Sequence, residues 1–402
     1  MAVAPPEEGL LPSLCFVGPG NLPALAREYG HLRVGGMEMQ QVLLARTLAK
    51  EGYDVSMVVA DHGQPDGASW DGITTWRTYA RDAGLPIVRF IHPRWTSVWS
   101  ALKRADADIY YVSGAGMLLG LVALFARRYH RKLVFRVAST LDCDPATLCV
   151  EHLRDRKLYE YGLRHADVVL AQTGEQQAML KRAYGRECTV APPLAHAGGS
   201  GRDFDERDVD VFWVGNLRPL KRPQLFVDLA RRLPTLRFAM AGGPYPGAEA
   251  FFEEIRRTAA SIPNLHFHGW VAPDELHTLY ARARVLAGTS ETEGFPNIYL
   301  QAWSHGMPVV AYLDPDALIR THGLGEVVAG PDEMAAAVRS LIVSRDLWSA
   351  VSARSRHYAA ARLDERALLA PYIETFAALA AASAPHRAAR EANRFAFNHR
   401  GP

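Results

Sequence analysis

The feature that most limits the fold is an alternation. Short runs of β-branched and other apolar residues recur between longer segments with helical spacing, and the alternation stops once and then restarts. The first series is SLCFVG, DVSMVVA, DIYYVSG, KLVFRVAS, VVLAQT and CTVAPP. The second is VDVFWVG, LRFAMAGG, LHFHG, ARVLAGTS, MPVVAY and GEVVAG. Strands apolar along their whole length belong in parallel sheets covered on both faces, and strands alternating with helices build such sheets. In the helical segment MEMQQVLLARTLAKEG, Met39, Val42, Leu43, Ala45 and Leu48 fit one buried face. Between the series lies PPLAHAGGSGRDFDERD, Pro192 to Asp208, rich in Gly, Pro and charge, which reads as a linker. In open parallel sheets ligands bind beyond the carboxyl ends of the strands, so two such sheets facing each other would enclose a cleft.

Bulk properties narrow the class. A chain of 402 residues exceeds one ordinary core, and 49% hydrophobic content supplies ample surface to bury. The net charge of +2, without a basic block, argues against a nucleic-acid partner. Cys15, Cys143, Cys149 and Cys188 are scattered without metal-ligand spacing and read as unpaired thiols of a reducing compartment, or simply as buried ones. The longest apolar run, Gly114 to Ala126, is shorter than the roughly 20 residues that span a bilayer and reads as a buried helix. Arg127, Arg128, Arg131 and Lys132 follow it. They suit either contact with anionic lipid or the ordinary preference of helix C-termini for cations. The opening MAVAPPEEGLLPSLCFVG has acids and prolines where a basic leader would stand. The expected location is cytoplasmic, peripheral at the inner face of the membrane if the basic cluster engages lipid.

One window concentrates polar chemistry: TSETEGFPNIYLQAWSHGMPVVA, Thr289 to Ala311. It follows the run RVLAG, so it begins at the carboxyl end of a strand. Pro296 suits a first helical turn. Ile298 and Ala302 share one helix face and Asn297, Gln301 and His305 another, while Gly306 and Pro308 end the helix before the strand VVA. Glu293 then stands just before a helix N-terminus, whose free N–H groups at Gly294, Phe295 and Asn297 suit an anion or hydroxyls. The same loop also reads as an acidic turn that only stabilises its helix, by about 0.3–1 kcal/mol.

The ordered set of segments resembles the retaining glycosyltransferases of GT-B fold, of the glycosyltransferase family 4 type. The signature is ETEGFPNIYLQAWSHGMPVVA, preceded by LHFHGWVAPDELHTLYARARVLAGTS. VGGMEMQQVLLARTLAKEGYDVSMVV resembles the N-terminal Gly-Gly loop with its helix and strand, RHADVVLAQTGEQQAMLKRAYG the segment before the linker, and VFWVGNLRPLKRP the phosphate loop. The resemblance implies an α/β fold of two Rossmann-like domains with parallel sheets facing across a cleft. An N-terminal acceptor domain would span 9–195, a linker 196–208 and a C-terminal donor domain 209–370. A helical tail, 371–402, could pack back on the first domain.

It also implies roles. Glu293, Lys221 and Arg218 would carry catalysis, Glu293 at the donor sugar's hydroxyls and the two cations at its diphosphate. Gly294, Phe295, Pro296 and Asn297 would present backbone to sugar and diphosphate. Gln301 stands where the family has a second Glu on the ribose; its amide offers one acceptor atom and no charge. Asn216, after Gly215, replaces a usual Arg, and Arg222 lies near enough to help. Gly35 and Gly36 would let a helix start approach phosphate, and Gly269, Trp270 and Val271 would line the base pocket. The family's His after an N-domain strand is missing from KLVFRVASTLDCDP, which leaves Ser139, Asp142 and Asp144 as acceptor-side candidates, with His92 elsewhere; Asp142 could as easily cap a helix. The implied reaction retains anomeric configuration and takes a nucleoside diphosphate sugar as co-substrate. It needs no cofactor or metal, and serves a carbohydrate, lipid-linked or other hydroxyl acceptor in polysaccharide or glycolipid assembly.

Three other readings stay open. A catalytically silent sugar-nucleotide-binding subunit would account for Gln301, Asn216 and the missing His. A sugar-nucleotide epimerase could share the two-domain fold. An NAD-dependent oxidoreductase would share the alternation and Asp61, but VGPGNLPA has Pro23 in place of the third fingerprint Gly, and Glu293 to Ala311 would be left unexplained.

Overall fold

The apolar runs of both series are strands. The computed structural model describes residues 11–30, 34–80, 82–85, 88–195, 199, 201–245 and 247–398. Residues 9, 10, 31–33, 81, 86, 87, 196–198, 200, 246 and 399–402 of the expected domain, linker and tail spans therefore lie outside the described residues. The first series contributes β1 (Leu14–Val17), β2 (Val55–Val59), β3 (Ser69–Trp70), β4 (Ile73–Arg77), β5 (Ile109–Ser113), β6 (Lys132–Arg136), β7 (Val168–Ala171) and β8 (Thr189–Val190). The second contributes β9 (Val209–Val214), β10 (Phe238–Ala241), β11 (Leu265–Phe267), β12 (Ala283–Gly288), β13 (Val309–Ala311) and β14 (Gly325–Val327). β3 and β4 fall outside the expected set. They form a hairpin turned by Asp71 and Gly72, at φ 52° and 78°, the Asp-Gly pair that tight hairpins favour. Their half-buried, alternating residues carry no apolar run.

Each series closes its own sheet. The order β3-β4-β2-β1-β5-β6-β7-β8 is parallel except for β3, and the order β11-β10-β9-β12-β13-β14 is parallel throughout. In each sheet the order reverses beside the first parallel strand of its series, at β1/β5 and at β9/β12. Those are the points where a crevice opens beyond the strand ends. Loops leaving β1 (Gly18 to Gly20), β9 (from Gly215) and β12 (from Thr289) therefore rim the ligand side.

β1 and β9 are buried along their whole length. Fully buried side chains such as Phe16 and Phe212 contribute about 2 kcal/mol each by leaving water. One apolar cluster runs through both lobes and includes Leu14, Phe16, Leu194, Phe212, Trp303, Leu363 and Tyr372. The helix Gly36–Lys50 buries Val42, Leu44, Ala45 and Leu48. Met39 and Leu43 are only partly covered, so the buried face is rotated from the expected one. The last helix, Glu365–Asn398, begins before residue 371 and lies on the first lobe. Tyr372 Oη donates to the Pro192 carbonyl at 3.0 Å, Phe376 meets the Tyr53 ring at 6.5 Å, and Glu365 accepts from Thr47 Oγ1 at 3.2 Å.

The apolar run after Gly114 forms the buried helix Met117–Arg128. Of the cations at its end, Arg131 pairs with Asp106 and Asp108, and Lys132 with Asp167 at 3.1 Å. These two are neutralised by carboxylates of their own lobe, which weakens the lipid-contact expectation; Arg127 and Arg128 stay exposed. Among the described residues no helix is long and apolar enough to cross a membrane. The four cysteines are free thiols.

Candidate active site

The site starts from two loops tied together at the ends of β9 and β12. Thr289 Oγ1 accepts from Trp213 Nε1 at 2.8 Å and donates to the Lys221 carbonyl at 2.6 Å. The Glu291 N–H donates to the Leu220 carbonyl at 2.8 Å. Pro219 opens the short turn Pro219–Lys221, and Pro223 starts the next helix, Pro223–Arg232, with fixed φ at both places. Held this way, Lys221 Nζ forms an ion pair with Glu293 Oε1, both side chains being mostly shielded at 19% and 12% exposure.

Arg222 does not join them. Its Nε donates to the Thr289 carbonyl at 2.8 Å, its Nη2 to the Ser290 carbonyl at 3.4 Å, and its guanidinium lies over the Tyr312 ring at 4.6 Å. Nε and Nη2 of the fork thus go to the loop's own carbonyls, which fixes the loop. Arg218 is different. It stacks over Tyr245 at 5.0 Å, and its buried Nε has no hydrogen-bond partner among the described residues.

The first lobe meets this cluster through Gly35 and Gly36. A Cβ on Gly36 would stand 3.5 Å from Asn297 Nδ2 of the second lobe. Asn297 Oδ1, also buried, has no partner among the described residues. Two polar atoms without partners, Arg218 Nε and Asn297 Oδ1, thus accompany the Lys221–Glu293 pair near the Gly-Gly loop. The Gly35 N–H is already used, donating to Glu38 Oε2 at 3.1 Å. Burial pushes the Glu38 carboxyl up, while that hydrogen bond and the Arg218 charge act the other way.

A wall of stacked turns adjoins them. Gly215 N–H donates to Ala241 O at 3.1 Å, Leu217 N–H to Gly243 O at 2.8 Å and Gly242 N–H to Gly269 O at 2.7 Å. The approach is so close that a Cβ on Gly242 would fall 1.9 Å from the Gly215 carbonyl oxygen. Trp270 packs on Gly243 and is half exposed. Val271 is partly buried against the core, and Asn216 is half-buried beside Gly215.

Other expected residues fall elsewhere. The helix is Asn297–Ser304, so Pro296 precedes it, and Phe295 is buried. Gln301 is exposed on that helix, whereas His305 is buried, its Nδ1 2.8 Å from the Gln301 carbonyl and its ring stacked on Tyr280. His305 therefore leaves the polar line assigned to it; burial pulls its pKa down. Ser139 and Asp142 cap the turn Thr140–Cys143. Asp142 Oδ2 accepts from the Ser139 and Ala138 N–H groups at 3.0 and 3.2 Å, and Ser139 Oγ accepts from the Leu141 N–H at 3.3 Å. Burial pushes the Asp142 carboxyl up to about 6. Asp144 likewise turns back on its own loop, accepting from the Ala146 N–H at 2.8 Å. His92 is exposed, with Nδ1 2.9 Å from Thr96 Oγ1 on the next helix. Asp61 is taken by its own loop and Arg77, and VGPGNLPA is a turn leading into a short helix, Leu22–Leu25.

Glu38, Tyr245, Gly242, Gly243, Thr140 and Gln176 were not singled out by pattern. Only Glu38 carried a readable signal, an acid three residues after the residue that precedes the helix.

Two facing lobes of parallel sheet, with a charged cluster at the strand ends between them, define the GT-B class of glycosyltransferase. The structures of sucrose-phosphate synthase from Thermosynechococcus elongatus and of HepE from Anabaena with UDP and glucose share the fold. TM-scores are 0.75 and 0.71, each at 17% identity, covering 92% and 91% of this chain and all of the other. WaaG, a glycosyltransferase of lipopolysaccharide biosynthesis, matches at 0.64, again at 17% identity, over 90% of this chain and 99% of its own. Residues 35–194 match the glycosyl transferase 4-like domain and residues 208–344 the glycosyl transferases group 1. The chain belongs to that group 1, 4-like family. D-inositol 3-phosphate glycosyltransferases are similar in sequence. That of Rhodococcus jostii (strain RHA1) is 27% identical over 220 residues, 48% of this chain and 49% of the relative. That of Geodermatophilus obscurus is 28% identical over 262 residues, 56% of each. The chain thus spans about half the length of the curated relatives it matches.

Proposed function

We propose that the protein is a retaining glycosyltransferase that moves a sugar from a nucleoside diphosphate sugar to a hydroxyl acceptor. The observation that carries this reading is the Lys221–Glu293 pair beside the unpartnered Arg218 Nε and Asn297 Oδ1. A diphosphate entering there meets Lys221 as a point charge and Arg218 as a planar donor. Lys221 then exchanges Glu293 for phosphate oxygen, and the freed carboxylate accepts hydroxyls of the sugar ring.

In the reaction the acceptor oxygen bonds to the anomeric carbon as the bond from that carbon to the phosphate oxygen breaks. The diphosphate leaves with the electron pair and takes the acceptor's proton, so no separate base is assigned. Arg218 and Lys221 stabilise the leaving charge in a site whose dipoles are already fixed, without a metal requirement. With Gln301 exposed on its helix, the ribose is held by one neutral amide. The similarity to D-inositol 3-phosphate glycosyltransferases supports a hydroxyl acceptor of the phosphorylated polyol, carbohydrate or lipid-linked kind, in glycolipid or polysaccharide assembly. The proposed setting is cytoplasmic, and any membrane contact at this helix end falls to Arg127 and Arg128.

The test is transfer from UDP-glucose, UDP-N-acetylglucosamine and GDP-mannose to inositol phosphate, oligosaccharide and lipid-linked acceptors, with the product linkage read by NMR. An α-linked product from an α-linked donor is expected. An inverted linkage would overturn the retaining assignment, and free altered sugar nucleotide would favour an epimerase.

A further inference from the structure

Parts of the first lobe grip the Glu293–Gly294 segment of the second. Thr140, in the turn after β6, does so twice: its N–H donates to the Glu293 carbonyl at 3.0 Å and its Oγ1 to the same oxygen at 2.7 Å. Gln176, on the helix Gly174–Tyr184, donates from Nε2 to the Gly294 carbonyl at 2.9 Å. The contact leaves no room. A Cβ on Gly294 would fall 2.0 Å from the Ala138 carbonyl oxygen and 2.3 Å from Gln172 Nε2.

The gripping groups are fixed in turn. Thr140 sits in the turn capped by Ser139 and Asp142. Gln176 Oε1 accepts from the Gln172 N–H at 2.8 Å. Gln172 Nε2 donates to the Val137 carbonyl at 2.9 Å, and Gln172 Oε1 accepts from the buried Arg136 at 3.3 Å. The helix bearing Gln176 is also held from the second lobe: Asp316, in the loop after β13, accepts from the Gly174 and Glu175 N–H groups at 2.9 and 3.1 Å. A carbonyl held by two donors cannot rotate freely, so the backbone that aims the Glu293 side chain is set by the opposite lobe.

We propose that Thr140 and Gln176 are positioning residues which, through the Glu293 and Gly294 carbonyls, aim the Glu293 carboxylate at the donor sugar. This rests on the reading of Glu293 as a sugar contact. Lys221 is set within the second lobe, by Thr289 and Trp213. Loss of the grip therefore weakens hold on the sugar and spares the diphosphate.

Two readouts on full-length protein test it. In nucleotide-free T140V/Q176L, hydrogen–deuterium exchange over residues 289–297 is expected to rise at least tenfold (order of magnitude) over wild type. In calorimetry with UDP, UDP-glucose, GDP and GDP-mannose, the affinity ratio of sugar nucleotide to parent diphosphate falls at least tenfold, with the diphosphate itself within about twofold of wild type. T140S keeps the hydroxyl and should keep wild-type values, which separates the hydrogen bond from a general folding defect. Unchanged exchange overturns the proposal, and so does faster exchange with an unmoved ratio. Wild-type protein that binds none of the four nucleotides would sink the glycosyltransferase reading, and the aiming role with it.

Discussion

Lys221 and Glu293, 72 positions apart, meet as an ion pair at the ends of β9 and β12. Each satisfies the other's charge, so the group proposed to contact sugar and the group proposed to contact phosphate occupy one place. A ligand with an anion next to a polyhydroxyl ring relieves both at once.

Glu293→Ala and Lys221→Met should each lower kcat/KM at least a hundredfold, about 3 kcal/mol of transition-state stabilisation. Because the two act as one unit, the double variant should lose much less than the product of the single losses. Initial rates, with far-UV circular dichroism to confirm the fold, check this. Full activity in Glu293→Ala would remove the residue from the mechanism.

Gly294→Ala tests the lobe contact by sterics. Its methyl has no space against Ala138 and Gln172, so the loop must withdraw from the first lobe. Transfer should fall at least a hundredfold, again about 3 kcal/mol, while melting temperature drops by only a few degrees. Small-angle scattering should show a wider mean separation of the lobes.

How much of this was legible in the sequence follows from the physics of each part. Strands buried on both faces, such as β1 and β9, write themselves as apolar runs, and the loops at their ends could be placed at once. The pair hairpin β3–β4, half-exposed and polar, carries no such run. Lys221 and Glu293 were legible as candidates because the motif order marks them. The loop-fixing bonds of Arg222 were not legible, because a phosphate contact and a loop-carbonyl contact ask for the same residue type. Thr140 and Gln176 were not legible. Their partners are backbone carbonyls 153 and 118 positions away, and a carbonyl places no demand on the local sequence.

Asp142 predicts a pH dependence of stability. Burial raises its folded pKa to about 6 from the ordinary aspartate value of 3.8. The fold therefore favours the protonated form, and this contribution is full below pH 3.8 and is lost as pH rises through about 6. Urea denaturation at about pH 4.5 and pH 7 should show wild type losing about 2 kcal/mol relative to Asp142→Asn over that interval. Parallel behaviour of the two proteins would place the titration elsewhere.

Arg207 ties the linker to the second lobe through backbone carbonyls. Its Nη2 donates to the Arg202 and His305 carbonyls at 2.9 and 2.5 Å, its Nη1 to the Ala283 carbonyl at 2.5 Å, and it lies over Trp348 at 5.1 Å. Burial, with Arg356, Arg202 and Arg284 nearby, pulls its pKa down to about 10. Arg207→Ala should cost about 3 kcal/mol by leaving those carbonyls unpaired, and Arg207→Lys should recover only part of it, since an ammonium cannot reproduce the fork. Chemical denaturation gives both values.

The most direct test of the central claim is a thermal-shift series with UDP, GDP, ADP and TDP on wild type, Lys221→Met and Arg218→Met. At a hundred times Kd a nucleotide adds about 2.7 kcal/mol to the native state, which for a chain of this size raises Tm by roughly 3 °C. One nucleotide should do so in wild type, and the shift should largely vanish in both variants. No shift with any of the four, or a full shift surviving in both variants, would contradict a diphosphate held at Lys221 and Arg218.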